Sequence, residues 1–156
     1  MGLDSVKNYL QQEEEGNRLS TDVIDGMPPK FIQPLIMQGL HLDLVEVGRI
    51  VCSMKVPSRL LNTENFLHGG ATATLVDLVG SAVIYTVGKS YTGVSVELSV
   101  SYLDSAYVGE EIEIEAKALR VGKAIAVVTV EFRKKQSGKI IAQGRLNNFL
   151  AVTSKI

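Results

Sequence analysis

The sequence predicts an α+β fold in which one antiparallel sheet curls around a single enclosed helix. Three observations lead there. Residues 69–88, GGATATLVDLVGSAVIYTVG, are apolar around every side of a helical cylinder, which suits a helix with protein on all sides. Runs alternating apolar and polar residues flank that segment, one pair before it and four after it. At 156 residues the chain has the length of one domain, enough to bury roughly 70% of its unfolded surface without disulfides or metal.

Residues 4–15 predict a short helix with Val6, Tyr9 and Leu10 on one side, stopped by Gly16. Three glutamates, 13–15, oppose the dipole at its C-terminal end, so it is expected to fray. Pro28, Pro29 and Pro34 restrict residues 17–38 to loop or short helical turns. From Gly39 the period changes. Leu40, Leu42, Leu44 and Val45 lead to Gly48, and Ile50, Cys52, Met54 and Val56 follow on alternate positions, which reads as a hairpin. A loop from Pro57 to Leu67 delivers the chain to the helix, expected from Gly69 to about Thr86. In the next strand Val94, Val96, Leu98, Val100 and Tyr102 alternate with Ser95, Glu97, Ser99 and Ser101. In the one after it Ile112, Ile114, Ala116 and Ala118 alternate with Glu111, Glu113, Glu115 and Lys117. Turns at Val121-Gly122 and Ser137-Gly138 open strands over 124–134 and 139–151. The last four strands read as a meander.

The formal charge of −1, from 16 basic and 17 acidic residues, supplies no field to recruit nucleic acid or an anionic membrane. Any anionic ligand is held locally. The one cysteine, Cys52, lies in an alternating apolar run with no neighbouring base to make a thiolate, and reads as core. A lone cysteine fits a reducing, cytoplasmic setting. The start of the chain lacks the pattern of a secretory signal. Val6 stands where a myristoylation motif requires Ser or Thr, and the final Ser154-Lys155-Ile156 is one substitution from a peroxisomal address.

The helix carries one carboxylate, Asp77, with no Lys, Arg or His in residues 69–88. An unpaired buried carboxylate costs several kcal/mol unless it is protonated or used. A membrane span is disfavoured by four Gly, three Thr, one Ser and that central Asp. The bland alternative is a buried Asp that finds a hydrogen-bond donor. Against it stand Asn62, His68, Gly69 and Gly70 just upstream. Free N–H groups at a helix start, unobstructed by side chains at Gly69 and Gly70, suit the oxygen of a carbonyl under attack, although paired glycines by themselves equally read as close packing at the helix start. Asp77 lies eight residues beyond Gly69, about 12 Å along the axis, whereas attack requires an approach to about 3–3.5 Å. If both are catalytic, the carboxylate comes from a second copy of the chain, which implies a two-fold dimer.

The run Asn62-x5-His68-Gly69-Gly70-x6-Asp77, followed by Gly93-Val94-Ser95-Val96, resembles the hot-dog fold acyl-CoA thioesterases of the small phenylacetate and 4-hydroxybenzoyl-CoA type. The resemblance covers roughly residues 35–151 and divides the chain into an N-terminal segment, 1–34, and a hot-dog domain, 35–156. It implies hydrolysis of an acyl-CoA in lipid metabolism, with no cofactor or metal and with assembly as a dimer or tetramer. The Gly69 N–H would polarise the thioester carbonyl, and Asp77 of a partner subunit would be nucleophile or general base. Asn62 would orient substrate or water, and Ser95 would position the water. His68 would either hydrogen-bond near the thioester or serve structure, with Gly70 beside it in the substrate site. Arg120 or Lys123 would meet a phosphate of coenzyme A, bordered also by 102–107, and residues 17–38 would cap the pocket.

Other chemistry has less support. Position 97 is Glu, so Ser95 lacks the last glycine of a nucleophile elbow. His41 and His68 lie far apart with no cysteine pair, which leaves a zinc site unsupported and makes His41 a strand residue. No phosphate-binding glycine loop occurs. Within the fold, the alternatives are a dehydratase, which requires a catalytic His with an acidic partner, and a non-catalytic acyl-CoA binding protein.

Overall fold

The structure, a computed structural model, describes residues 2–11 and 19–150. The expected fraying over 13–15, the stop at Gly16 and the Ser154-Lys155-Ile156 terminus lie outside the described residues. The chain forms two compact units, one up to Leu35 and one from Ile36 onward.

The first unit holds α1 (Leu3–Gln11) and α2 (Thr21–Asp25). Ser20 caps α2 by accepting the Val23 N–H at 3.3 Å. A third helix, α3 (Ile32–Met37), begins with Pro34 in its first turn, where a missing N–H costs nothing.

The second unit is a six-stranded antiparallel sheet with one long helix. Its elements are β1 (His41–Glu46), β2 (Arg49–Lys55), a single 3-10 turn (Ser58–Leu60), α4 (Gly69–Tyr85), β3 (Val94–Tyr102), β4 (Glu111–Val121), β5 (Ile125–Lys134) and β6 (Ile140–Phe149). The strands lie in the order β1-β2-β4-β5-β6-β3. The hairpin β1–β2 and the meander β4–β5–β6 follow the sequence pattern. The position of β3 does not: it pairs with β6 at the sheet edge and not with β4. No tight turn follows Tyr102. Residues 103–110 form a longer connection, held where Leu103 and Asp104 donate their N–H groups to Ile141 O at 2.9 and 3.1 Å.

Strict alternation fails once within β3, and the failure matters. Ser95 pairs with Asn148, Glu97 with Asn147 and Leu98 with Leu146, so a bulge at Val96 sets three steps on β3 against two on β6. Ser95 thereby leaves the face of Glu97 and Ser99 and joins that of Leu98, Val100 and Tyr102, which looks toward α4.

Helix α4 lies on the concave face. Leu75, Val76, Val79, Val83 and Ile84 are buried against Ile112, Ile114, Ala116, Val128, Val130, Phe132 and Leu146. The opposite side is not enclosed within one chain: Ala73, Thr74, Asp77, Leu78, Ser81 and Ala82 are half-buried and Tyr85 is exposed. The apolar residues all round the helix therefore meet the sheet on one face only. Close approach is set by Gly144 of β6, where a Cβ would stand 2.6 Å from Val76 Cγ2. Cys52 is buried, and burial first, with Asp43 second, raises its thiol pKa to about 11, which fits a core residue. No described helix is long and apolar enough to cross a membrane.

Candidate active site

Two clusters of the expected residues form, at two places along α4. The first surrounds its N-terminus. His68 is the cap: its Nδ1 accepts the Gly70 N–H at 2.8 Å, and its carbonyl accepts the N–H groups of Ala71 and Thr72 at 2.9 and 3.2 Å. Among the described hydrogen bonds of this turn, none uses the Gly69 N–H. Gly70 is thus engaged in capping, and Gly69 holds the open donor at the positive end of the helix. With Nδ1 accepting, the neutral His68 ring carries its proton on Nε2 and offers a donor there.

The loop before the cap is ordered by Asn62. Its Oδ1 accepts from Glu64 N at 3.0 Å and Phe66 N at 3.1 Å, and its own N–H reaches Phe66 O at 2.8 Å. The side-chain carbonyl is therefore committed to the turn, which leaves the Nδ2 amide as its remaining donor. Bridges Leu61–Leu67 and Phe66–Tyr107 fix this loop against the connection after β3.

Cavities flank the helix start on two sides. One of about 550 Å³ is lined by Phe66, Leu67, Gly69, Thr72, Tyr102 and Ala106 among others. Another of about 260 Å³ includes Arg59, His68, Gly70 and Thr74. Gly69 lines the first of these and Gly70 the second.

The second cluster centres on Asp77, two turns on. Ser95 Oγ donates to Asp77 Oδ1 at 2.6 Å, a contact that exists because the bulge turned Ser95 toward the helix. Nearby, Asn148 donates from Nδ2 to Thr92 O at 2.8 Å and to Ser81 Oγ at 3.3 Å, tying α4 to the entry of β3. Arg120 and Lys123 belong to this end of the sheet: Arg120 and Val121 pair with Val127 and Ala126, and Ile125 and Val94 both pair with Phe149. Both cations are exposed, and among the described residues no ion pair engages either.

The structure thus joins Asn62, His68, Gly69 and Gly70 at one place and Asp77 and Ser95 at another; it does not bring Arg120 to the second, because β5 and β6 separate β4 from β3 and Arg120 pairs with Val127, on the face opposite the buried Ala126 and Val128. It keeps the two groups apart within a chain, by about 12 Å along α4. His41 begins the edge strand β1 and is exposed.

Sequence reasoning gave Tyr102 only as the start of a segment bordering coenzyme A, not as a partner of Gly69, and missed Asn148. Tyr102 Oη donates to Gly69 O at 2.6 Å. Its signal, one more apolar residue in an alternating strand, was indistinguishable from core. Asn148 is 1% exposed, and a buried amide in a predicted strand was the only available clue.

The family model described as the thioesterase superfamily matches residues 64–141. The human protein named acyl-coenzyme A thioesterase 13 is 41% identical over 98 residues, which span 63% of this chain and 70% of that protein. Its mouse counterpart is 41% identical over 110 residues, 70% of this chain and 79% of that protein. The crystal structure of zebrafish thioesterase superfamily member 2 superposes with a TM-score of 0.75 at 32% identity, covering 97% of this chain and 99% of that one.

Proposed function

We propose a shared-site mechanism for this chain, which belongs to the thioesterase superfamily. It hydrolyses an acyl-CoA to a free acid and coenzyme A. The observation that carries the mechanism is the division of the site residues into two clusters on one helix. In the proposed dimer, the Gly69 N–H of one copy polarises the thioester carbonyl, assisted by the Asn62 amide, and Asp77 of the other copy faces the carbonyl carbon.

The edge strand supports this arrangement. β3 has an unpaired side, and Val94, Val96 and Tyr102 are more than half exposed, the kind of edge that pairs with another chain. Antiparallel pairing of two β3 strands about a two-fold at Leu98, the middle of Val94–Tyr102, sets Ser95 of one copy opposite position 100 of the other, since the bulge leaves Ser95 two ladder steps from Leu98. Tyr102 and Gly69 of one copy then adjoin Ser95 and Asp77 of the next, and the half-buried face of α4 is covered.

Ser95 has one proton, and Asp77 Oδ1 takes it. The serine oxygen therefore accepts further bonds but offers none to an oxyanion. A water donating to Ser95 Oγ and to the free Asp77 Oδ2 presents its lone pair to the carbonyl. Asp77 acts as general base, taking the water proton as the C–O bond forms; the carbonyl electrons collect opposite the Gly69 N–H. Collapse of that intermediate breaks the C–S bond, and the thiolate leaves to be protonated as coenzyme A. The exposed Arg120 and Lys123 supply cations for a coenzyme A phosphate. A dehydratase would pair its histidine with a carboxylate, whereas His68 Nδ1 holds a backbone N–H.

Thiol release from a panel of aliphatic, aromatic and phenylacetyl CoA thioesters tests the reading. Asp77→Asn is expected to keep fold and assembly and to lower kcat by about 10² or more. Wild-type turnover in that variant rejects the mechanism.

A further inference from the structure

We propose that Tyr102 is a positioning residue for the reaction, holding the carbonyl-polarising N–H of Gly69 in place; the proposal rests on the role given to that N–H above. A glycine at the first position of a helix has the widest backbone freedom of any residue, and an oxyanion donor is effective only when its direction is fixed before charge develops. Both peptide planes that meet at the Gly69 Cα are held. In the plane following it, the Gly70 N–H is bonded to His68 Nδ1 at 2.8 Å and the Gly69 carbonyl accepts from Tyr102 Oη at 2.6 Å. In the plane preceding it, the His68 carbonyl takes the N–H groups of Ala71 and Thr72. The remaining polar group of the two planes is the open Gly69 N–H. Its direction follows from the other three.

Tyr102 is matched to a glycine at 69. A Cβ there would stand 3.2 Å from Tyr102 Oη, 3.3 Å from Cζ and 3.4 Å from Cε1, so a side chain at 69 displaces the ring that holds the carbonyl. The tyrosine is 55% exposed in the single chain, where this hydrogen bond, not enclosure in a core, holds its ring. Partial burial raises the phenol above its ordinary value of 10, which keeps it a donor throughout the neutral range. The same ring walls the larger cavity, next to where the carbonyl would sit.

Three variants of the full chain test this: Tyr102→Phe, Gly69→Ala and the double variant, with Asp77→Asn as a control for the site. Thiol release gives kcat and KM, and urea unfolding reports stability. Tyr102→Phe keeps the ring and loses only the hydroxyl, so kcat is expected to fall about threefold to tenfold, the range of one net hydrogen bond, with KM and the unfolding midpoint nearly unchanged. Because Gly69→Ala acts by displacing the same ring, the double variant is expected to be no slower than the slower single variant. Wild-type kcat in Tyr102→Phe while Asp77→Asn is inactive overturns the role of Tyr102 and leaves the site reading intact. So do losses that multiply in the double variant. An Asp77→Asn protein that turns over normally overturns the site reading itself.

Discussion

Replacing Gly144 by alanine tests whether the packing of helix on sheet sets the geometry of the carboxylate. Gly144 lies on β6 beneath Val76, the residue before Asp77. A new Cβ would stand 2.6 Å from Val76 Cγ2 and 2.9 Å from Cγ1, against about 3.4 Å for ordinary contact, so the shortfall is 3.4 − 2.6 = 0.8 Å. Val76 is fully buried, and rotating it exchanges one blocked methyl for the other. The helix must lift. A lift of that size along the Ser95–Asp77 bond stretches it from 2.6 to 3.4 Å, near the limit at which a hydrogen bond retains strength. The expected stability loss is about 1–3 kcal/mol, the usual cost of overpacking a core, and kcat is expected to fall by up to about tenfold. Val76→Ala alone costs about 2 kcal/mol through lost burial and a small cavity. In the double variant the surviving Val76 Cβ lies at 3.4 Å from the new methyl, so the strain vanishes and the two losses should fall short of their sum by about 1 kcal/mol or more. Urea unfolding and thiol release, measured on all four proteins, give both energies and rates. Additive losses, or an unchanged midpoint in Gly144→Ala, would refute the argument.

Mixing an Asp77→Asn chain with a Tyr102→Phe/Gly69→Ala chain should restore activity above both parents once subunits exchange, because a heterodimer recovers one intact site; exchange without recovery, or a fully active monomer, would sink the shared-site proposal. His68→Ala removes the cap on Gly70 and is expected to cost about 1 kcal/mol in urea unfolding, with His68→Asn recovering part of it; equal midpoints for all three would deny the cap any weight. Burial alone would raise the Glu115 pKa, but hydrogen bonds from Arg49 and Arg133 and the charges of Arg133 and Lys117 overcome it and hold that carboxyl below its ordinary 4.5. A depressed folded-state pKa means a contribution present above 4.5 and lost as pH falls through the lower folded value. Stability measured from pH 6 down to pH 3 should therefore decline, and less steeply in Glu115→Gln; identical slopes would contradict the assignment.

Much of the architecture was legible because it depends on local pattern. The helix from Gly69 was marked by its composition and its glycine start, and β1–β2, β4–β5 and β5–β6 by glycine turns between alternating runs. The placement of β3 was not, since no local signal says which edge a strand reaches after an eight-residue connection, 103–110. The enclosed reading of α4 counted apolar residues correctly but could not say that one face meets solvent in a single chain. At the site, Gly69, His68 and Asp77 stood out by residue type and spacing. Which of two adjacent glycines keeps its N–H open depended on the His68 ring, a side-chain contact invisible to spacing. Tyr102 and Asn148 act across strands and through burial, information that resides in pairing.

The bulge at Val96 makes the reading frame of a strand part of the chemistry. A regular ladder that kept Val96, pairing it with Asn148, would rotate Ser95 to the convex face, beyond reach of Asp77, whereas a strand lacking Val96 would leave Ser95 opposite Asn148 on the face of α4. A β3 that honoured its own strict apolar alternation would thus be an inactive one. A designer who straightened the pairing of β3 to suit that alternation would turn away the serine that the bulge aims.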